Sequence, residues 1–234
     1  MKDLKILIAC EESQAICSEF RRLGYEAYSC DVQQPSGGHP EWHVQCNVFL
    51  IVRGDCIFST LDGEQHYIKQ WDLVVAHPPC TYLAQSGQRW CNIALYGNKA
   101  RRRIESMGEA IRFFMAFTYI PCEHVAIENP VGIMNDTYRK PDQTIHPWMF
   151  GNPISKATCL WLKGLPALVP YTLVKPEIEK VEYVDRHGRT KRIDKFFYDT
   201  RYLPAEERRR TRSKTFPGIA NAIAEQWSAY LESL

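Results

Sequence analysis

The 234-residue chain has no glycine fingerprint of the G-x-G-x-x-G kind. Without those glycines a backbone turn cannot approach a pyrophosphate closely. No apolar run reaches the roughly 18 residues that a membrane helix needs. Net charge of one sign is also missing: the formal balance is only +2. Any nucleic-acid footprint must therefore be local. No C-x-x-C pair occurs, and the nine cysteines are odd in number and scattered. That argues against a disulfide framework and for free thiols in a reducing cytoplasm. Met1 to Lys5 runs straight into a strand-like stretch with no small-residue cleavage site, so no signal peptide is expected. There is no internal repeat and no low-complexity segment. What remains is an ordinary globular balance, 45% apolar and 24% charged, at a length that supports a substantial core.

The most informative stretch is Trp71 to Cys80. Trp71 to Ala76 reads as a short buried strand running into a rigid Pro78-Pro79 turn. The turn presents Cys80 at the strand's carboxyl end, where open α/β sheets bind ligands. A polar loop, Thr81 to Gly87, follows. Upstream, Lys5 to Cys10 reads as a first strand and Ala15 to Leu23 as a helix stopped by Gly24. Ser13 is the expected cap of that helix. Tyr25 to Cys30 is a second strand. This strand–helix–strand unit is about thirty residues long, as parallel pairing requires. Asp31, at the end of the second strand, stands where dinucleotide folds hold a ribose hydroxyl, or else is a turn carboxylate. The first turn, Cys10-Glu11-Glu12-Ser13-Gln14, would repel a pyrophosphate. It suits a nucleoside without phosphates, in particular a cationic one.

Further along, His39, His43 and Cys46 have metal-like spacing. Three ligands without a clear fourth do not make a zinc site, so a surface loop is expected and no metal. Asn47 to Phe58 reads as a helix or an edge hairpin, with Asp55 as a lining candidate for a cofactor pocket. Ser86, Gln88 and Arg89 beside Trp90, with Arg101 to Arg103 beyond, suit a segment that closes on nucleic acid. Ile104 to Tyr119 is a helix with Ile104, Met107, Ile111, Met115 and Thr118 on one face. His124 to Ile127 is a strand ending at Glu128-Asn129-Pro130, and burial is expected to raise the Glu128 carboxyl toward a general acid's range. Residues 135–168 read as irregular and aromatic, with one clear strand at Lys156 to Leu162. A hairpin with the basic tip Arg186 to Arg192 follows. The charged run Glu206 to Lys214 precedes a helix from Ile219 to Leu234.

Pro78-Pro79-Cys80 with its loop, then Ile127-Glu128-Asn129, then the small-residue segment Gly218 to Ala224 together resemble the cytosine-C5 DNA methyltransferases. The chain also looks like the small phage-encoded members of that group. The resemblance implies a Rossmann-like, mostly parallel α/β fold of the S-adenosylmethionine-dependent methyltransferase type, with a small irregular insert. The expected division is a catalytic core over 1–134, a recognition insert over 135–210 and a returning segment over 211–234. The resemblance implies Cys80 as nucleophile at C6 and Glu128 as partner of N3, with Asn129 and His77 beside them. It implies S-adenosylmethionine held by Cys10, Glu11, Glu12, Asp31, Asp55, Pro78 and Asn221, with Asp72 a weaker candidate. A flipped cytosine of DNA would be gripped by Ser86, Gln88, Arg89, Arg139, Lys156 and Arg189, in the cytoplasm (a host's, if phage-encoded). His77 is close enough in sequence to alter the Cys80 thiol. Two departures stand out: the first turn lacks the family's Phe and glycines, and no Arg-x-Arg follows Glu128-Asn129, for which Arg139-Lys140 is the nearest substitute. Modification of another pyrimidine substrate (RNA, single-stranded DNA or a nucleotide), transfer of another one-carbon unit, and a non-catalytic DNA-binding module are the alternatives.

Overall fold

The computed structural model describes residues 3–185 and 187–234. The strands are β1 (Lys5–Ala9), β2 (Glu26–Asp31), β3 (His43–Gln45), β4 (Cys56–Ser59), β5 (Gln65–Ile68), β6 (Leu73–Ala76), β7 (Val125–Pro130), β8 (Gln143–Ile145), β9 (Thr158–Lys163), β10 (Lys180–Val184) and β11 (Thr190–Asp194). The helices are α1 (Ala15–Arg22), α2 (Gln85–Gln88), α3 (Ile93–Ala116), α4 (Met134–Thr137), α5 (Lys195–Thr200), α6 (Ala205–Ser213) and α7 (Pro217–Ser233).

Seven strands form one sheet in the order β3-β2-β1-β6-β7-β9-β8. Strands β3, β2, β1, β6 and β7 are parallel to one another, whereas β9 runs antiparallel between β7 and β8. The architecture is α/β with a mostly parallel sheet, compatible with a Rossmann-like fold. The central strands are apolar on both faces, as parallel strands covered by helices must be. On one face Ile6 and Ile8 pack with Ile16, Phe20, Ile223 and Trp227 of α1 and α7. On the other, Leu7, Val74 and Val125 pack with Phe114 and Phe117 at the end of α3.

The structure bears out some expectations, the two hairpins among them, and corrects others. The sheet runs across the boundary expected at residue 134, because β8 and β9 lie beyond it and β9 pairs with the whole of β7. The 47–58 stretch resolves into a short turn and the first strand of the β4–β5 hairpin. Helix α3 begins earlier than expected and breaks at Gly97, whose φ of 52° is non-helical. Its deepest residues are Ala100 and Phe114, while the expected Ile104–Thr118 row is half-buried. The basic hairpin falls on β10–β11; Arg186 at its tip lies outside the described residues. Among the described residues, no helix is long and apolar enough to cross a membrane.

Candidate active site

From β1 the sheet extends through β2 and β3 on one side and through β6 and β7 on the other. Ligands in such sheets sit outside the carboxyl ends, where the winding reverses. A cleft of about 250 Å³ occupies that place. Its floor comes from three strand ends: Cys10 to Ser13 after β1, His77 to Cys80 after β6, and Glu128 to Pro130 in β7. Lys156, Arg209, Arg212 and Lys214 form the opposite wall.

The first turn is built around Glu11. Cys10 and Gln14 adopt left-handed φ values of 61° and 56°, which fold the chain sharply between β1 and α1. The buried Glu11 carboxylate then accepts hydrogen bonds from the backbone N–H of Ile16 at 2.7 Å and of Cys17 at 3.2 Å. It therefore caps α1 and neutralises the positive helix end. Ser13 does not take the expected capping role, because the helix boundary falls at Gln14. Burial pushes the Glu11 carboxyl up; the charge of His77 and the two N–H groups oppose the rise. Glu12 faces the cleft instead. Its Oε2 is buried with no hydrogen-bond partner among the described residues, and Oε1 lies 3.9 Å from Nε of Arg210.

The other two strand ends are clamped together. Nδ2 of Asn129 donates to the Pro78 carbonyl at 2.7 Å. Gln85 N–H donates to the Val131 carbonyl at 3.1 Å, and Ile133 N–H to the Leu83 carbonyl at 2.9 Å. The approach is so close that a Cβ on Gly132 would lie 2.1 Å from the Leu83 oxygen. Only glycine fits there. The loops carrying Cys80 and Glu128 thus move as one body.

Nδ1 of His77 lies 3.1 Å from Oε2 of Glu128, with side-chain exposures of 13% and 21%. Burial raises the Glu128 carboxyl, but the His77 hydrogen bond, the His77 charge and Lys156 outweigh it and leave the group below its ordinary value. This overturns the expected upward shift of Glu128: the carboxyl is not isolated. It also corrects the expected link between His77 and Cys80. The Cys80 thiol is pushed up by burial and by Glu128, with Lys156 opposing. Nε2 of His77 and Oδ1 of Asn129 are buried and have no hydrogen-bond partner among the described residues. Together with Oε2 of Glu12 they are polar groups of one cleft that only a ligand or water can satisfy.

Of the residues expected at the site, the fold brings together Cys10, Glu11, Glu12, His77, Pro78, Cys80, Glu128, Asn129 and Lys156. Others lie elsewhere. Asp31 ends β2 next to Cys10, whose thiol its charge helps to raise, but its Oδ1 accepts from Gln33 N–H and it is outside the cleft lining. Asp55 accepts from the Tyr67 hydroxyl in the β4–β5 hairpin. Asp72 binds the Lys5 N–H at the opposite end of the sheet. Asn221 pairs with Arg22 and Tyr171. Ser86, Gln88 and Arg89 sit on and after α2, outside the cleft, with Arg89 over the Trp90 ring. Arg139 forms a two-pronged ion pair with Asp142, and Arg189 pairs with Asp185 at the hairpin. His39 stacks on Trp42, His43 bonds Ser29 and Gln33, and Cys46 packs on Cys30. Among the described residues no three metal-ligating side chains cluster.

Apart from Lys156, the basic wall is what sequence reasoning left unassigned. Arg209 and Arg212 are three residues apart on α6 and so share a face, a signal the charged run carried. Arg212 also anchors α6, donating to the Thr200 hydroxyl and the Phe197 carbonyl. The Arg212 carbonyl in turn accepts from Nζ of Lys156 at 2.8 Å. No protein-family model matches this chain, and comparison with curated proteins finds no match either.

Proposed function

We propose that the chain transfers a methyl group from S-adenosylmethionine to C5 of cytosine in DNA. One observation carries the reading. A single cleft holds Cys80 between an acidic floor of Glu11, Glu12 and Glu128 and a basic wall of Lys156, Arg209, Arg212 and Lys214. A cationic donor suits the first half and a nucleotide phosphate suits the second.

The donor set fits S-adenosylmethionine. Glu11 already fills the N-terminus of α1, so no phosphate group is called for there. The unpartnered Oε2 of Glu12 suits an ammonium or sulfonium. Asp31, outside the cleft lining but beside Cys10 and followed by an exposed Val32, would meet the ribose and purine only where the cofactor extends past the cleft over the end of β2. When bound, the cofactor supplies an electrophilic methyl carbon.

The chain's own residues prepare the base. Cytosine is a poor nucleophile at C5 until a thiolate bonds to C6. Cys80 makes that bond once its thiol proton has passed to water in the cleft, and electron density moves toward C5 and N3. The His77–Glu128 pair holds a proton at N3, so the developing charge is neutralised. Asn129 keeps the Cys80 and Glu128 loops in register. Once C5 carries the methyl group, its proton would pass to water, the electron pair of that C–H bond would re-form the C5–C6 double bond, and the C6–sulfur bond would break to return the thiolate. A base in a duplex must leave the stack to reach Cys80.

The test is covalent trapping. Wild-type protein with cofactor and a 5-fluorocytosine oligonucleotide should give a stable adduct, seen as a shifted band and by mass spectrometry. Cys80→Ala should bind cofactor in calorimetry and form no adduct. A wild type that traps no pyrimidine polynucleotide, single- or double-stranded, refutes the thiolate reading. Failure to bind S-adenosylmethionine refutes the cofactor.

A further inference from the structure

We infer that a second hollow, beside the Cys80 loop, binds an unpaired base of a single-stranded polynucleotide together with its phosphate. The hollow is open, about 500 Å³ in volume, and lined by Tyr82, Trp90, Tyr96, Lys99, Arg102 and Arg103. It is separate from the Cys80 cleft, with no lining residue in common. Its composition is three aromatic rings, three cations and Ser106, with no carboxylate.

The rings are presented, not packed away. Trp90 is 43% exposed and its neighbours Ile93 and Leu95 are 45% and 71% exposed, which a solvated turn does not need. Trp90 and Tyr96 have centroids 5.0 Å apart and planes tilted by 49°, and the Arg89 guanidinium lies 4.8 Å from the Trp90 ring centroid, where a stacking base would displace it. The break at Gly97 puts this turn out of line with the rest of α3.

The cations divide into a fixed one and two free ones. Arg103 donates to the Thr81 carbonyl at 2.8 Å and the Gly87 carbonyl at 3.1 Å, and lies 5.0 Å over the Tyr82 ring. It clips the Cys80 loop onto α3. A Cβ on Gly87 would come within 2.2 Å of that guanidinium, so the glycine permits the clip. Lys99 and Arg102 have no acidic partner among the described residues. They remain available for phosphate.

Exposed rings with unpaired cations suit base stacking plus backbone attraction. An acidic peptide would satisfy the cations and leave the rings without flat partners. Tyr82 is two residues from Cys80, a span of at most about 7 Å between α-carbons. A strand whose reacting base enters the Cys80 cleft thus brings a neighbouring nucleotide to this hollow. Duplex DNA has no second unpaired base to offer, so the substrate is single-stranded where it is held. The inference rests on the proposed base-modifying role of the cleft for its substrate class.

The test is fluorescence anisotropy with labelled cytosine-containing 12-mers (single-stranded DNA, RNA of the same sequence, and duplex DNA), without cofactor. The wild type should bind a single strand at least about tenfold tighter than the duplex, since stacking needs a free base face; the DNA and RNA arms identify which strand. Trp90→Ala should weaken single-strand binding on the order of tenfold, the loss of one stacked base. Lys99→Gln with Arg102→Gln should reduce the slope of log K against log salt by roughly 1.4. These side chains are solvent-facing, and circular dichroism checks that the variants fold. Binding by both variants within twofold of wild type overturns the inference, as does poly-glutamate competing as well as the oligonucleotide. Because this assay reads binding alone, it stands apart from the trapping test. Trp90-dependent binding without any adduct would fail the methyl-transfer reading and leave the hollow in place. An adduct with no dependence on Trp90, Lys99 or Arg102 would do the reverse.

Discussion

Replacing His77 by alanine leaves the Glu128 carboxylate largely buried, with only Lys156 opposing burial. The Nδ1–Oε2 hydrogen bond of 3.1 Å is lost, and a hydrogen bond to a charged group contributes about 1.5–3 kcal/mol. Breaking a buried pair by removing one partner costs about 3–5 kcal/mol. Glu128 is one-fifth exposed and keeps Lys156 nearby, so the loss at neutral pH should lie lower, at about 2–3 kcal/mol. The pH dependence separates charge from packing. In the wild type the Glu128 carboxyl lies below its ordinary value near 4.3. Its contribution is then complete above about pH 5 and is lost as pH falls through the depressed value. In His77→Ala burial dominates, the carboxyl moves up, and protonation relieves the unpaired charge. The variant's deficit should therefore shrink steadily from about pH 7 to about pH 4. Urea denaturation followed by tryptophan fluorescence at several pH values measures this. His77→Gln, which restores a donor without a charge, should recover part of the loss. A deficit independent of pH would show that His77 acts only by filling space, and the electrostatic account of the pair would fall.

Site-resolved alkylation of Cys80 by iodoacetamide should have its midpoint above the ordinary thiol value of about 8.5, with Glu128→Gln lowering the midpoint and Lys156→Gln raising it; the opposite order would contradict the assigned causes. Glu11→Ala should cost about 1–2 kcal/mol by uncapping α1, and Glu11→Gln less, since an amide oxygen still accepts one N–H; equal losses in thermal melts would deny the capping role. Gly132→Ala should destabilise by about 1–3 kcal/mol or more and slow adduct formation, because the new methyl group collides with the Leu83 carbonyl and parts the two loops; wild-type stability would show that the loops yield independently.

The sequence by itself determined the frame of this protein. Apolar runs such as Ile6 to Ala9 and Leu73–Ala76 are buried on both sides, and two-sided burial leaves one pattern to read. The Pro78-Pro79 turn and the polar residues after β1, β6 and β7 were equally legible, since a parallel sheet brings such strand ends to one edge. Tertiary structure alone decided who meets whom there. His77 is three residues from Cys80 but bonds Glu128, 51 positions away, because β6 and β7 are adjacent. Ser13 is a better local cap than Glu11, yet the left-handed turn at Cys10 aims the Glu11 carboxylate at the helix end. The antiparallel β9 and the basic wall of α6 reach the site from distant parts of the chain. Local propensity and periodicity describe a residue's own segment. Register, strand order and the burial of a charge depend on the partner segment, and that partner is known only when the sheet has formed.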